Sequence, residues 1–143
     1  MKIIVAGSRW IQDYKIVADA IAESGFKPTL IIEGGQRSYS GYPVARIVGG
    51  VDWLARQWAE VHGIEVHTEY ALWDVHGKAA GPIRNRVMAE MGNALIAIPE
   101  GRSRGTRNMI LAMRLLNKPI FVKEIVSETN YKHHGNDYKV ECK

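Results

Sequence analysis

What most restricts the fold of this chain is a repeated alternation of short strand-like runs with stretches of helical period. Residues 2–6 and 94–98 are continuous apolar runs, the mark of strands buried on both faces, and residues 29–33, 64–68 and 119–122 read as three more strands. Between them, Ile16, Val17, Ala20 and Ile21 recur at helical spacing after Asp13, a candidate N-cap or first-turn acid, and Gly25 is placed to end that helix. A second helix is predicted over 50–62, with Leu54, Trp58 and Val61 on one face, Ala55 and Ala59 permitting close packing, and Gly63 as the stop. A third is predicted over 82–91, where Pro82 at the first position loses no hydrogen bond. A fourth runs over 105–116, with Met109, Ile110, Met113 and Leu116 as its buried stripe. The alternation predicts an α/β fold: a Rossmann-like parallel sheet of about five strands, residues 2–6 central, with helices on both faces.

This unit is expected to occupy residues 1–123. Residues 36–49 interrupt it with Arg37, Tyr39, Tyr42 and Arg46 in no clear period. They read either as an extended inserted loop carrying those side chains over a pocket mouth or as a surface hairpin or oligomer contact. Residues 124–143 form a polar C-terminal extension, read as flexible or as an added edge strand. Within it, the adjacent His133 and His134 do not make a metal pair, because neighbours on a strand point opposite ways and no further ligand stands at a familiar spacing.

At 143 residues there is room for one domain with a proper core. The formal charge of +4 and pI near 9.3 favour anionic partners, without the lysine block or the regular basic and aromatic strip expected of a nucleic-acid binder. Nucleic-acid binding is therefore an alternative and not the favoured reading. Cys142 is the only cysteine, so no intramolecular disulfide and no Cys-based zinc site is expected. No stretch reaches the roughly twenty apolar residues of a membrane span, and the N-terminal run is too short for a signal peptide. A cytoplasmic protein without membrane contact is expected.

In such sheets ligands bind beyond the carboxyl ends of the strands. Three turns are predicted on that edge: Gly7-Ser8-Arg9, Gly34-Gly35 and residues 100–106. Between Lys78 and Arg107 the cations Lys78, Arg84, Arg86, Arg102, Arg104 and Arg107 face only two acids, Glu90 and Glu100. Arginine forks match phosphate and carboxylate oxygens in shape as well as charge. Gly101, Ser103, Gly105 and Thr106 put two glycines and two hydroxyls at one helix start, where unpaired N–H groups and the helix dipole favour an anion. The dinucleotide glycine fingerprint and the Walker lysine motif are both missing. Candidate ligand-binding residues are Gly7, Ser8, Arg9, Gly34, Gly35, Arg37, Asp52, Lys78, Gly81, Arg84, Asn85, Ser103, Arg104, Gly105 and Thr106, and no metal site is predicted.

In order along the chain, Val5-Ala6-Gly7-Ser8-Arg9, Gly34-Gly35, Gly50-Val51-Asp52, Trp73-Asp74 with residues 77–85 (GKAAGPIRN), and Ser103-Arg104-Gly105-Thr106 together resemble the SLOG superfamily, and within it the small YspA-like, cpYpsA-related branch. The resemblance spans residues 1–122. It implies a Rossmann-like domain that binds a nucleotide or a nucleotide-derived molecule such as an ADP-ribose-like or cyclic nucleotide, as a sensor or sequestering protein. It also implies a homo-oligomer, dimeric or larger. By matching position, Gly7, Ser8, Arg9, Gly34, Gly35, Arg84, Asn85, Gly105 and Thr106 would line the pocket and Asp52 would border it. No cofactor beyond such a ligand is predicted.

The chain departs from that pattern twice. Residues 36–49 intervene between the double glycine and the Gly-x-Asp segment, which in relatives of the branch stand a few residues apart. Phosphoribohydrolase relatives of the Lonely Guy type carry a glutamate three positions after the threonine of Gly-Thr, and that position is Met109. Cleaving an N-glycosidic bond calls for a carboxylate, so binding without turnover is placed ahead of hydrolysis. Asp52, Asp74, Glu33 and Glu100 are the acids left for an enzymatic alternative, with Asp52 the catalytic candidate. DprA-like nucleic-acid binding is the second alternative.

Overall fold

A computed structural model describes residues 1–126 and the backbone of residues 127 and 138–142. Its main sheet holds β1 (Lys2–Gly7), β2 (Leu30–Glu33), β5 (Glu65–Thr68), β6 (Ala94–Ile98), β7 (Ile120–Ser127) and β8 (Tyr138–Cys142), in the spatial order β5-β2-β1-β6-β7-β8. The first five are mutually parallel and β8 pairs antiparallel with β7. Counted in chain order, the parallel strands run 3-2-1-4-5, so chain direction across the sheet reverses between β1 and β6, the switch point at which Rossmann-like sheets open a crevice. The expected α/β architecture is thus the observed one, and β7 continues past residue 123. His133 and His134 lie outside the described residues.

Strand alternation divides the core between two helical layers. Ile3, Val5, Ile31, Ala94, Ile96 and Ile98 face α1 (Tyr14–Ser24) and α2 (Val51–Val61). Ile4, Ile32, Leu95 and Ala97 face α4 (Ala80–Met91) and α5 (Arg104–Leu115). Every residue of β6 is buried, which is why its sequence is uniformly apolar. Asp13 caps α1 by accepting from the Lys15 N–H at 2.9 Å, and Gly25 ends it at φ 75°.

Some expectations are corrected. Val61 is 74% exposed and Leu116 42% exposed, because α2 ends at Val61 and Leu116 is the cap residue beyond α5, so neither completes a buried stripe. Val51 joins the α2 core face instead. The third predicted helix begins at Ala80, two residues before Pro82, after a short helix α3 (Trp73–His76) and a 3-10 turn at Gly77–Ala79. Of the two readings of residues 36–49, the hairpin is the one observed, β3 (Ser38–Ser40) paired antiparallel with β4 (Arg46–Gly49), and the extended loop is corrected. Among the described residues no helix is long and apolar enough to cross a membrane.

Candidate functional site

A cavity of about 320 Å³ opens at the carboxyl ends of β1, β2 and β6, at the low end of the range typical for small-molecule sites. Its β1 wall is built by close approach. A Cβ on Gly7 would lie 2.5 Å from the Ile98 carbonyl and 2.7 Å from Val51, so only glycine lets the turn sit there. The Ser8 N–H donates to Ile98 O and the Val51 N–H donates to Ser8 O, both at 3.1 Å, which pins the turn between β6 and α2. The Ser8 hydroxyl donates to Glu100 at 3.2 Å and accepts from the Trp10 N–H at 3.1 Å. Its proton is therefore directed to Glu100.

Beneath the β2 end stands a buried charge network. Glu33 is fully buried, accepting from the Gly35 N–H at 2.7 Å, from both Arg37 terminal nitrogens and from the Thr68 hydroxyl. Arg37 in turn lies over the Trp53 ring at 5.3 Å. Asp52, in the first turn of α2, accepts from the Gln36 N–H at 3.0 Å and lines the cavity. Burial, reinforced by the Glu33 charge, pushes its carboxyl up from 3.8 to about 7 against the opposing pull of the Gln36 hydrogen bond, Arg84 and Arg37.

Arg84 reaches in from the second turn of α4. It donates to Gly34 O at 2.6 Å and to Asn85 Oδ1 at 3.0 Å. A Cβ on Gly34 would stand 2.5 Å from Arg84 Nη1 and 3.1 Å from Asp52 Oδ2, so the bare glycine is what admits guanidinium and carboxyl to the same spot. Burial lowers the Arg84 guanidinium from its ordinary value while Asp52, Glu33 and Glu69 pull the other way. Asn85 is a strut: its amide donates to Gly105 O at 3.1 Å and Asn108 Oδ1 at 2.9 Å, tying α4 to α5.

The last wall is the start of α5. Ser103 adopts φ 40°, ψ 58°, a left-handed conformation uncommon for a residue with a Cβ, and its hydroxyl donates to Thr106 at 3.1 Å. Ser103, Arg104, Gly105 and Thr106 all line the cavity, next to the unpaired N–H groups of the first helical turn. By contrast α4 contributes Arg84, Asn85 and Met88 from its side, so the N-terminus of α5, and not that of α4, faces the cavity, together with the start of α2 at Asp52.

Of the expected site residues, Gly7, Ser8, Arg9, Gly34, Asp52, Arg84, Asn85, Ser103, Arg104, Gly105 and Thr106 surround one space. Gly35 and Arg37 line a neighbouring groove. Lys78 is exposed in the 3-10 turn and Gly81 is buried in α4 against Trp73, and neither lines the cavity. The arginine run also divides. Arg107 forks onto Glu124 of β7 at 2.9 and 3.0 Å and onto two loop carbonyls, Gly101 O and Arg102 O, which makes it a brace. Ala6, Trp10, Gln36, Met88 and Glu100 complete the lining. Glu100 was accessible from the sequence as the first residue beyond Pro99, whereas Gln36 and Met88 carry no local signal. Met109, where the resemblance would place a glutamate, is fully buried in the core between the sheet and α4–α5. Among the described residues no group of three or more His, Cys, Asp or Glu side chains is placed to hold a metal ion.

Fold and site define a Rossmann-like α/β protein with an arginine- and carboxyl-lined crevice at the switch point of its sheet. No family model matches the chain. It is 30% identical over 128 residues to the Gene 61 protein of Mycobacterium phage D29, an alignment covering 83% of this chain and 93% of the phage protein, and it belongs to the family of that protein.

Proposed function

We propose that this protein binds a nucleotide or nucleotide-derived molecule, ADP-ribose-like or cyclic, at the carboxyl edge of its sheet, as a cytoplasmic sensor or sequestering protein of the SLOG superfamily in its YspA-like branch. The observation that carries this reading is the meeting of Arg84 and Asp52 over Gly34 in a cavity that also receives the N-terminus of α5. Arg84, Arg104 and the free N–H groups of α5 supply donors for phosphate oxygens. Asp52, with a pKa of about 7, supplies a carboxyl that both donates to and accepts from sugar hydroxyls. The core position of Met109 favours binding over hydrolysis. The test is a thermal-shift screen of adenine nucleotides, cyclic nucleotides and ADP-ribose derivatives, with chromatography of each ligand after incubation. Stabilisation with the ligand intact supports the proposal, and no shift from any of them at about 1 mM, a concentration that would register even weak binding, removes it.

A second reading, hydrolysis of an N-glycosidic bond, draws on one observation: a cavity-lining carboxyl whose pKa of about 7 suits a general acid or base. Its mark is release of free base from nucleoside monophosphates, abolished in Asp52→Asn with binding retained. Self-association is part of the same proposal. Its support is the exposure of apolar side chains on two neighbouring helices, Ile83 and Val87 on α4 and Leu111 and Leu115 on α5. Light scattering that gives a monomer mass at every concentration would remove it.

A further inference from the structure

Beside the cavity lies a second groove, also of about 320 Å³, and Arg9, Gly34, Gln36 and Arg84 line both. What distinguishes it is three aromatic rings: Tyr39 from β3, Tyr70 from the segment after β5, and Trp73 from α3, respectively 61%, 63% and 54% exposed. Glycines hold two of them from behind. A Cβ on Gly35, at φ 82°, would fall 2.7 Å from two Tyr70 ring carbons, and one on Gly81 would fall 3.3 Å from Trp73. Among the described residues none of the three is stacked on another ring or beneath a cation, whereas Trp10, Trp53 and Trp58 each have such a partner. Three π-faces thus gather in one groove, next to a cavity whose donors suit phosphate.

We propose that this groove is a nucleobase subsite. The base of a nucleoside 5′-phosphate lies among Tyr39, Tyr70 and Trp73, its sugar crosses the shared wall of Gly34 and Arg84, and its phosphate reaches the N-terminus of α5. The inference rests on the nucleotide-binding reading above and adds which lobe takes which part of the ligand. Aromatic faces stack on any base, and Gln36 is the single uncharged polar side chain in the groove apart from the tyrosine hydroxyls and the Trp73 indole N–H, so selectivity follows stacking area: purines bind more tightly than pyrimidines, and AMP and GMP alike.

The experiment is calorimetric titration of the full chain with AMP, GMP, CMP and ribose 5-phosphate, repeated on Tyr70→Ala, Tyr39→Ala and Tyr70→Phe. AMP is expected to bind at least about tenfold more tightly than ribose 5-phosphate, the scale of one base–aromatic stack. Tyr70→Ala and Tyr39→Ala should each remove much of that advantage while leaving ribose 5-phosphate unchanged, and Tyr70→Phe should keep it. Equal affinity for AMP and ribose 5-phosphate, or an equal loss of both in the alanine variants, overturns the base subsite while leaving the phosphate site standing. Binding of neither ligand overturns this inference, and the nucleotide reading falls with it when the cyclic nucleotides and ADP-ribose derivatives give no thermal shift either.

Discussion

Asp52→Asn should make the protein more stable, and by an amount that grows with pH. The Asp52 carboxyl titrates at about 7 in the fold against an ordinary 3.8, so between those values the native state keeps a proton that the unfolded chain has released. Stability therefore falls as pH rises from about 4 to about 7 and remains at the lower level above. At ~1.4 kcal/mol per pH unit the full penalty is roughly 4 kcal/mol. Asparagine preserves the shape and the oxygen that accepts from the Gln36 N–H, and it removes the ionisation. The advantage of the variant should widen by roughly 2–3 kcal/mol between pH 5 and pH 8, read from urea unfolding of both proteins at matched ionic strength. Because both chains share every other titrating group, the difference isolates this one. A difference constant to within about 0.5 kcal/mol over that range, with equal m-values, would refute the assignment of a neutral, buried carboxyl.

Gly34→Ala should cost the site more than the fold, since its Cβ would displace Arg84 and crowd Asp52. A loss of about 1.5–3 kcal/mol in affinity for a nucleotide, one charge-assisted hydrogen bond, is expected by calorimetry. Met109→Glu introduces the glutamate that the proposed resemblance to phosphoribohydrolases would call for, yet at a position with no exposure it should destabilise by more than about 4 kcal/mol and produce no base release. Arg107→Ala, which cuts a brace to Glu124 outside the cavity, should lower the melting temperature and leave nucleotide affinity within about twofold, the modest cost of a partly exposed ion pair. Cyclic AMP, whose phosphodiester does not titrate in this range, should bind more tightly at pH 6 than at pH 8 because the Asp52 charge appears between them. Equal affinities at the two pH values would count against Asp52 facing the ligand.

The sheet was legible because β1 and β6 bury both faces and β2 its centre, and a run such as Ala94 to Ile98 allows little else. The switch point followed, and with it the three glycine-marked turns. Helix ends were less accessible: Val61 and Leu116 satisfy the helical period, yet a period does not say where the partner surface stops. The arginines show the same limit more sharply. Arg84 and Arg107 stand in the same run of cations, but Arg84 donates to the Gly34 carbonyl just beyond β2 and feels the charge of the buried Asp52 of α2, while Arg107 forks onto Glu124 of β7. Which cation is free for a ligand depends on acids far away in sequence. The aromatic groove was unreadable for that reason, since Tyr39, Tyr70 and Trp73 stand on three separate elements and meet only through the fold.

A charge count across the site shows why the Asp52 proton matters. Glu33 holds Arg37, so that pair is internally spent. Lining the cavity there remain Arg9, Arg84 and Arg104 against Glu100 and Asp52. With Asp52 protonated the balance favours an anion by two charges, and with it ionised by one. Every charge brought close to a buried carboxyl that is near its midpoint shifts its equilibrium, so an arriving phosphate both prefers and promotes the neutral form. Gly34 is what couples them. By allowing Arg84 and Asp52 to approach within the space of a missing methyl group, it ties the cation that would meet the ligand to the acid whose proton sets the field around it.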